Sequence, residues 1–166
     1  QAFKAYELTG DSGEIENTTD IYNQIGRLKY ELKDYKASIV WCNKTIQKSE
    51  PIGFLKFLYA AYYYSALSHY QLGQKDSALR QLKRAIAVME KISNQISGGA
   101  AAQKMFTSGD LQQKMYEKIV EWLLEQGKIE EAISYLEKSN NEALNAKFKQ
   151  LQNDGCPLIP EIIAFN

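Results

Sequence analysis

The chain of 166 residues has few of the residues that interrupt helices. It has three prolines, and two of them, Pro157 and Pro160, lie close to its last residue, Asn166. The interior is therefore almost free of helix breakers, and the strong helix formers Glu, Lys, Gln, Ala and Leu fill long stretches of it. No run of alternating apolar and polar residues predicts a strand. These absences favour an all-α fold.

Residues that could form disulfides, metal sites or catalytic sites are equally scarce. Two cysteines, Cys42 and Cys156, are too few for a disulfide scaffold, so we expect a reducing, cytoplasmic compartment. The single histidine, His69, has no second histidine or cysteine at metal-ligand spacing. Glycine-rich phosphate-binding loops and the Gly-x-Ser-x-Gly nucleophile motif do not occur in the sequence. The sequence therefore predicts no metal site, no cofactor and no enzymatic activity.

Charge and hydropathy narrow the possible partners. Twenty basic residues balance twenty acidic ones, which disfavours a nucleic-acid binder because phosphate contacts need a net basic face. No apolar run approaches the ~20 residues of a membrane span. The chain opens at Gln1 with helical-looking sequence and no secretory leader, which indicates a piece excised from a longer protein. We expect neither a nucleic-acid partner nor a membrane partner.

Three windows of the sequence repeat one pattern of small and large residues. Each has a tyrosine, then Gly26, Ala66 or Val120 four residues later, then a turn, and then a second helix that begins with a small residue. Small residues let two antiparallel helices approach closely, while large residues fill the space one turn away. The windows are Tyr22–Lys29 with Ser38–Thr45, Tyr62–His69 with Ala78–Ala85, and Tyr116–Leu123 with Ala132–Ser139.

The pattern resembles the tetratricopeptide repeat family over roughly residues 1–140. It departs from that family at Lys29 and His69, where an aromatic residue is usual, and at Val120, where a small one is usual. Its spacing also departs, because the tyrosines lie 40 and 54 residues apart instead of ~34. The resemblance implies a right-handed α-solenoid of antiparallel helix pairs. A generic helical bundle with small-large packing is the alternative.

Glycine, proline and turn-forming residues set the expected boundaries of the helices and domains. We expect a helical repeat domain over residues 1–153 and an irregular C-terminal tail over 154–166. The stretch Thr9–Gly13 is expected to end a short first helix. Lys33–Asp34, Gly73 and Gly127 are expected at the turns, and Ser49–Pro51 at a helix end. The predicted helix pairs cover about 14–49, 52–95 and 100–139.

A narrower resemblance lies toward the C-terminus. The segments Ala85–Ile92, Met115–Ser139 and Glu142–Leu144 look like the repeats that precede a caspase-like CHAT protease domain in large bacterial proteins. This resemblance implies that the chain is the regulatory or docking arm of a longer bacterial protein. Other proteins with long repeats, such as bacterial peptide-pheromone receptors, remain open as relatives.

In such arrays the first helix of each pair lines the concave surface, and this implies the binding face. Residues that point away from the packing stripe are expected to contact a protein or peptide partner. A small-molecule or peptide-signal sensor that controls an attached effector is the alternative function. The oligomeric state does not follow from the sequence. The predicted partner-binding residues are Asn23, Arg27, Tyr30, Tyr63, Leu67, Tyr70, Lys114, Glu117 and Glu121.

Overall fold

Helices account for nearly all of the part of the chain that the structure describes. The computed structural model describes the backbone of residues 2–96, 99 and 109–139, and their side chains except those of 2–12 and 15. No strand occurs among these residues, and neighbouring helices pack in pairs. The predicted all-α, tetratricopeptide-like helical repeat is therefore confirmed.

The chain divides into two compact units, Gln1–Ile92 and Ser93–Asn166. In the first unit α1 packs against α2, α2 packs against α3, and α1 also contacts α3. In the second unit α5 packs against α6. The helices are α1 (Ala2–Glu31), α2 (Tyr35–Ser49), a 3-10 helix (Glu50–Ile52), α3 (Leu58–Gln71), α4 (Lys75–Asn94), α5 (Asp110–Glu125) and α6 (Ile129–Ser139).

The turns within the three helix pairs have one backbone geometry, which confirms the repeat register. Lys33, Gly73 and Gly127 occupy the same place in each window and have φ values of 61°, 75° and 68°. At each turn the amide of this residue donates to the carbonyl three residues back, and the next amide donates to the carbonyl five back. This is the Schellman arrangement, which satisfies carbonyls at a helix end. Lys33 adopts a left-handed conformation that glycine adopts more readily.

The two polar residues that depart from the family pattern make equivalent contacts, each at its own turn. Lys29 Nζ lies 3.4 Å from Asp34 Oδ2, and His69 Nδ1 lies within hydrogen-bond distance of Gln74 Oε1. In both pairs the partner is the residue directly after the left-handed turn residue. A polar side chain at this place therefore bridges the turn where the usual aromatic would pack.

The closest approach between α1 and α2 is made by small residues, as the sequence predicts. Ser38 Oγ donates a buried hydrogen bond of 2.8 Å to the carbonyl of Gly26. A Cβ atom added at Gly26 would lie 2.8 Å from Cys42 Sγ, which is closer than real Cβ contacts. Glycine at position 26 therefore sets the distance between the two helix axes. Ala66, Ala78 and Ala132, the small residues of the later pairs, are also fully buried.

Tyr62 joins three elements of the first unit. Its ring is 1% exposed, and its hydroxyl donates a 2.7 Å hydrogen bond to Glu50 Oε1 in the 3-10 helix after α2. The Arg84 guanidinium of α4 lies 5.8 Å from the centre of the same ring. Tyr62 therefore ties α3 to its neighbours on both sides. Other members of this core are Leu58, Leu82, Ile86 and Met89.

The predicted break near the N-terminus is wrong. α1 runs without interruption from Ala2 to Glu31, through the Thr9–Gly13 stretch that was expected to end a short helix and past the expected start of the first pair near residue 14. A glycine inside a helix costs only about 1 kcal/mol relative to alanine, and no proline removes a backbone donor here. Thr18 and Thr19 donate to helix carbonyls at Glu14 and Glu16, so these polar residues also fit a helix interior.

The expected helix end before Pro51 is present, because α2 ends at Ser49 and a 3-10 turn follows it. α3 begins at Leu58, later than the expected start of the second pair near residue 52. The expected start of the third pair near residue 100 and the expected tail 154–166 lie outside the described residues, so both stay predictions.

Candidate functional site

Four tyrosines form one aromatic cluster where α1, α2 and α3 meet. We call Tyr30, Tyr35, Tyr63 and Tyr64 the tyrosine cluster. The Tyr30 ring centre lies 5.7 Å from that of Tyr35 and 5.9 Å from that of Tyr64. Tyr63 and Tyr64 meet edge to face at 5.4 Å. Tyr30, Tyr35 and Tyr64 are half-buried, so their rings combine fixed positions with an accessible surface.

An exposed ion pair lies next to this cluster. Arg27 Nε lies 3.4 Å from Glu31 Oε1 one helical turn away, and their side chains are 58% and 55% exposed. Burial raises the pKa of Tyr64, the Arg27 charge lowers it, and the Glu31 charge raises it again. The Tyr64 phenol therefore stays protonated at neutral pH and can donate a hydrogen bond. Aromatic rings, a phenol donor and charges of both signs are thus present on one face.

The predicted partner-binding residues of the first unit differ in accessibility. Arg27 is exposed, and Asn23, Tyr30 and Tyr70 are half-buried. Tyr63 and Leu67 are buried, at 5% and 9% exposure. Both residues therefore pack beneath the accessible residues of α1 and α3 and offer little surface to a partner. Helix periodicity alone did not anticipate their burial.

Asn23 is a half-buried polar member of this set. Its Oδ1 atom is buried, and no residue that the structure describes donates a hydrogen bond to it. A buried carbonyl oxygen without a donor costs free energy.

The predicted residues of the second unit lie on the exposed side of one helix. Lys114, Glu117 and Glu121 of α5 are all exposed, and Lys118 Nζ lies 2.7 Å from Glu121 Oε2. The next turn adds the exposed Glu125. The outward surface of α5 is therefore mainly acidic, as the sequence predicts. The role of these residues in binding stays a prediction.

Tyr35 and Tyr64 were missed as site residues. Tyr35 begins α2 and was placed outside the first helices. Tyr64 lies on α3, one residue after the predicted Tyr63, and was not among the residues expected to point away from the packing stripe. The spacing of Tyr30 and Tyr35 across the Lys33–Asp34 turn was the available signal, because residues on both sides of a tight turn meet.

The Cys42 thiol is inaccessible to solvent. Cys42 is fully buried in the contact between α1 and α2. Burial raises the pKa of its thiol to about 12, while a hydrogen bond with Ser38 lowers it. The thiol is therefore protonated at neutral pH, and a thiolate is the form that reacts. Cys156 lies outside the described residues.

Burial of Cys42 predicts a loss of stability in alkali. The thiol ionises near 9.0 when the chain is unfolded and at about 12 when it is folded. Because the unfolded chain releases its proton first, the free energy of unfolding falls as pH rises from 9 toward 12. Between pH 8 and about pH 10.5 the Cys42 contribution falls by about 2 kcal/mol. Urea denaturation of the parent and of Cys42→Ala at both pH values measures it.

The matched variant isolates the thiol from the tyrosines that also ionise in alkali. Cys42→Ala is expected to lose about 2 kcal/mol less stability than the parent over the same pH interval. An equal loss in both proteins would mean that the thiol is not buried in solution.

A metal site and a membrane-spanning helix are both absent from the described residues. No three His, Cys, Asp or Glu side chains of the described segments come together as a metal ion requires. No helix in the same segments has the length and apolar character needed to cross a bilayer.

Comparison with known families agrees with this geometry. Residues 61–96 match the model of the tetratricopeptide repeat. The matched segment contains most of α3 and all of α4, which is the pair with the buried Ala66 and Ala78 at its crossing and Gly73 at its turn. No curated protein matches the chain. The repeat match and the three equivalent turns together make the chain a tetratricopeptide-like helical repeat.

Proposed function

We propose that this tetratricopeptide-like chain is a non-enzymatic scaffold that binds a protein or peptide through the tyrosine cluster and the Arg27–Glu31 pair. The repeat match supports an interaction role, because such repeats generally bind other proteins. The observation that carries the proposal is the group of half-buried tyrosine rings at the junction of α1 and α3. Tyrosine and arginine are enriched at binding hot spots.

The chemistry of the face indicates the kind of segment that it binds. Tyr30 and Tyr64 offer ring surface with little rotational freedom to lose, so they suit an apolar or aromatic side chain of the ligand. Arg27 and Glu31 already pair with each other, so a ligand carboxylate beside Arg27 would compete with Glu31. We infer a peptide with an apolar anchor and an acidic residue close to it.

A basic segment suits the second unit in the same proposal. Glu117, Glu121 and Glu125 are exposed along the surface of α5, at intervals of four residues. Lys118 pairs with Glu121, and the other two carboxylates extend the negative charge along the same side of the helix. The acidic surface of α5 therefore favours basic residues in a partner.

The parent context of the scaffold is also a proposal. The C-terminal resemblance to repeats that precede a CHAT protease domain supports a docking or regulatory arm of a larger bacterial protein. In that setting the scaffold would bring a bound partner to an attached effector, and the repeat itself would do no chemistry.

A charge reversal at Arg27 tests the binding face. The parent chain and Arg27→Glu are immobilised and exposed to lysate of cells that make the protein. Because Arg27 is exposed, the variant is expected to keep its fold, and retention of the main partner is expected to fall at least tenfold. Circular dichroism checks the fold.

Arg80→Glu is the matched control, since Arg80 is an exposed arginine on α4 whose guanidinium contacts Ser77. It is expected to retain the partner as the parent does. Equal losses in both variants, or no loss in Arg27→Glu, would move the site away from the tyrosine cluster. Absence of any specific partner would favour the sensor function, in which a small ligand occupies the array.

A further inference from the structure

One face of α1 is apolar and exposed, although the equivalent faces of α3 and α5, the first helices of the other two pairs, are buried. The repeat register equates Ile21, Ile25 and Leu28 of α1 with Ala61, Ser65 and Ser68 of α3. Ile21 and Leu28 are 55% and 53% exposed, Leu32, one turn further, is 65% exposed, and Ile25 between them is half-buried. Ala61, Ser65 and Ser68 are completely buried. We call Ile21, Ile25, Leu28 and Leu32 the open stripe.

The second unit repeats the buried case. The equivalent residues of α5 are Met115, Ile119 and Trp122, which are 0%, 0% and 2% exposed. Large apolar side chains therefore occur at these places of α5 in a buried setting. Four apolar residues spaced by four, three and four positions follow one side of a helix, which is the spacing that a second helix covers. The open stripe is thus built as a helix-packing surface.

The equivalent face of α3 is buried, and it shows what kind of element covers such a surface. In the first unit α2 packs against α3 and runs antiparallel to it, so the C-terminal end of α2 lies at the N-terminal part of α3. Just past that end, Glu50 accepts a hydrogen bond from Tyr62 beside Arg84 of α4. The carboxylate that follows the covering helix is therefore bound by a phenol whose ring lies against a cation.

A tyrosine and a basic side chain are also present at the equivalent places beside the open stripe. The register equates Tyr62 with Tyr22 and Arg84 with Lys44. Lys44 Nζ lies 5.6 Å from the Tyr22 ring centre and 3.7 Å from that of Trp41, whose ring packs 5.4 Å from Tyr22. An exposed ammonium group thus lies beside a tyrosine at the edge of the open stripe. A carboxylate that lay beside Tyr22 as Glu50 lies beside Tyr62 would complete the same arrangement.

We propose that the open stripe binds an amphipathic α-helix of a partner protein, antiparallel to α1, with a carboxylate at its C-terminal end that meets Tyr22 and Lys44. The stripe presents Ile and Leu where α3 presents Ala and Ser, so the bound helix faces it with small residues such as alanine and serine. This surface is distinct from the tyrosine cluster, and the inference does not rest on the function proposed above.

A helical-peptide library displayed on phage tests the proposal with the whole chain as bait. Selected peptides are expected to be amphipathic, to carry small residues on the apolar side, and to have Asp or Glu near the C-terminal end. By fluorescence anisotropy they are expected to bind Ile21→Glu/Leu28→Glu at least tenfold more weakly than the parent. Lys44→Ala is expected to weaken binding several-fold, and less so for a peptide with that carboxylate changed to an amide.

Matched variants keep the result specific. Val40→Glu changes a residue on α2 that is as exposed as Leu28, and it is expected to leave binding unchanged. Arg27→Glu, which tests the tyrosine cluster, is also expected to leave it unchanged. Denaturation curves establish that each variant folds.

Three results would overturn the proposal. Selection of no helical binder would show that the open stripe is not a helix-binding surface. Binders with equal affinity for the parent and Ile21→Glu/Leu28→Glu would place the contact elsewhere. Self-association in sedimentation experiments, lost in the same double variant, would make a second copy of this chain the occupant.

Discussion

Replacing Tyr62 with alanine is expected to lower the free energy of unfolding by about 3 to 5 kcal/mol. The ring is 1% exposed, so its removal leaves a cavity between α3 and its neighbours. The substitution also removes the hydroxyl that Glu50 accepts from and the ring beside Arg84. Urea denaturation followed by far-UV circular dichroism measures the loss.

Two variants separate the contributions of the ring and the hydroxyl. Tyr62→Phe keeps the ring and is expected to cost about 1 kcal/mol, because Glu50 is exposed and can be solvated by water instead. Tyr135→Ala removes a half-buried tyrosine of the second unit and is expected to cost less than Tyr62→Ala. A loss below about 1 kcal/mol for Tyr62→Ala would contradict the three-way junction described above.

Replacing Gly26 with alanine is expected to lower the free energy of unfolding by about 1 to 2 kcal/mol, although alanine is the better helix former. The added Cβ would lie 2.8 Å from Cys42 Sγ and 3.4 Å from the Cys42 amide nitrogen. Relief requires α1 to move away from α2, which weakens the buried Ser38 hydrogen bond to the Gly26 carbonyl. Denaturant unfolding of single and double variants measures the effect.

Gly13 provides the control within the same helix. A Cβ added there meets nothing within 4 Å, so Gly13→Ala is expected to stabilise the protein by up to about 1 kcal/mol. Removing the sulfur is expected to relieve the clash, so Gly26→Ala should cost little in a Cys42→Ala background. The same destabilisation with and without the sulfur would refute the close contact between α1 and α2.

The repeat was predictable because its determinants are local. The turn residues at positions 33, 73 and 127 and the small residues beside them recur at fixed offsets, and the backbone hydrogen bonds repeat at the same offsets. The length of α1 was not predictable from capping signals. The Thr9–Gly13 stretch carries the residues of a helix end, yet those residues can also continue a helix at a modest cost.

The candidate site was only partly predictable for a different reason. A helical wheel gives the direction of a side chain relative to one partner helix, and a stacked helix has several neighbours. Arg27 and Tyr30 lie at an accessible surface as the wheel indicates, whereas Tyr63 and Leu67 are buried. The meeting of Tyr30 with Tyr64 depends on the contact between α1 and α3, which sequence periodicity does not specify.

Site-specific photo-crosslinking tests most directly whether this chain is a scaffold that binds through the junction of α1 and α3. A benzophenone amino acid replaces the exposed Arg27 in one variant and the exposed Ala87 of α4 in another, in cells that make the protein. The proposal predicts a defined protein adduct from position 27 and none from position 87. Equal adducts from both positions, or an adduct from position 87 alone, would contradict it.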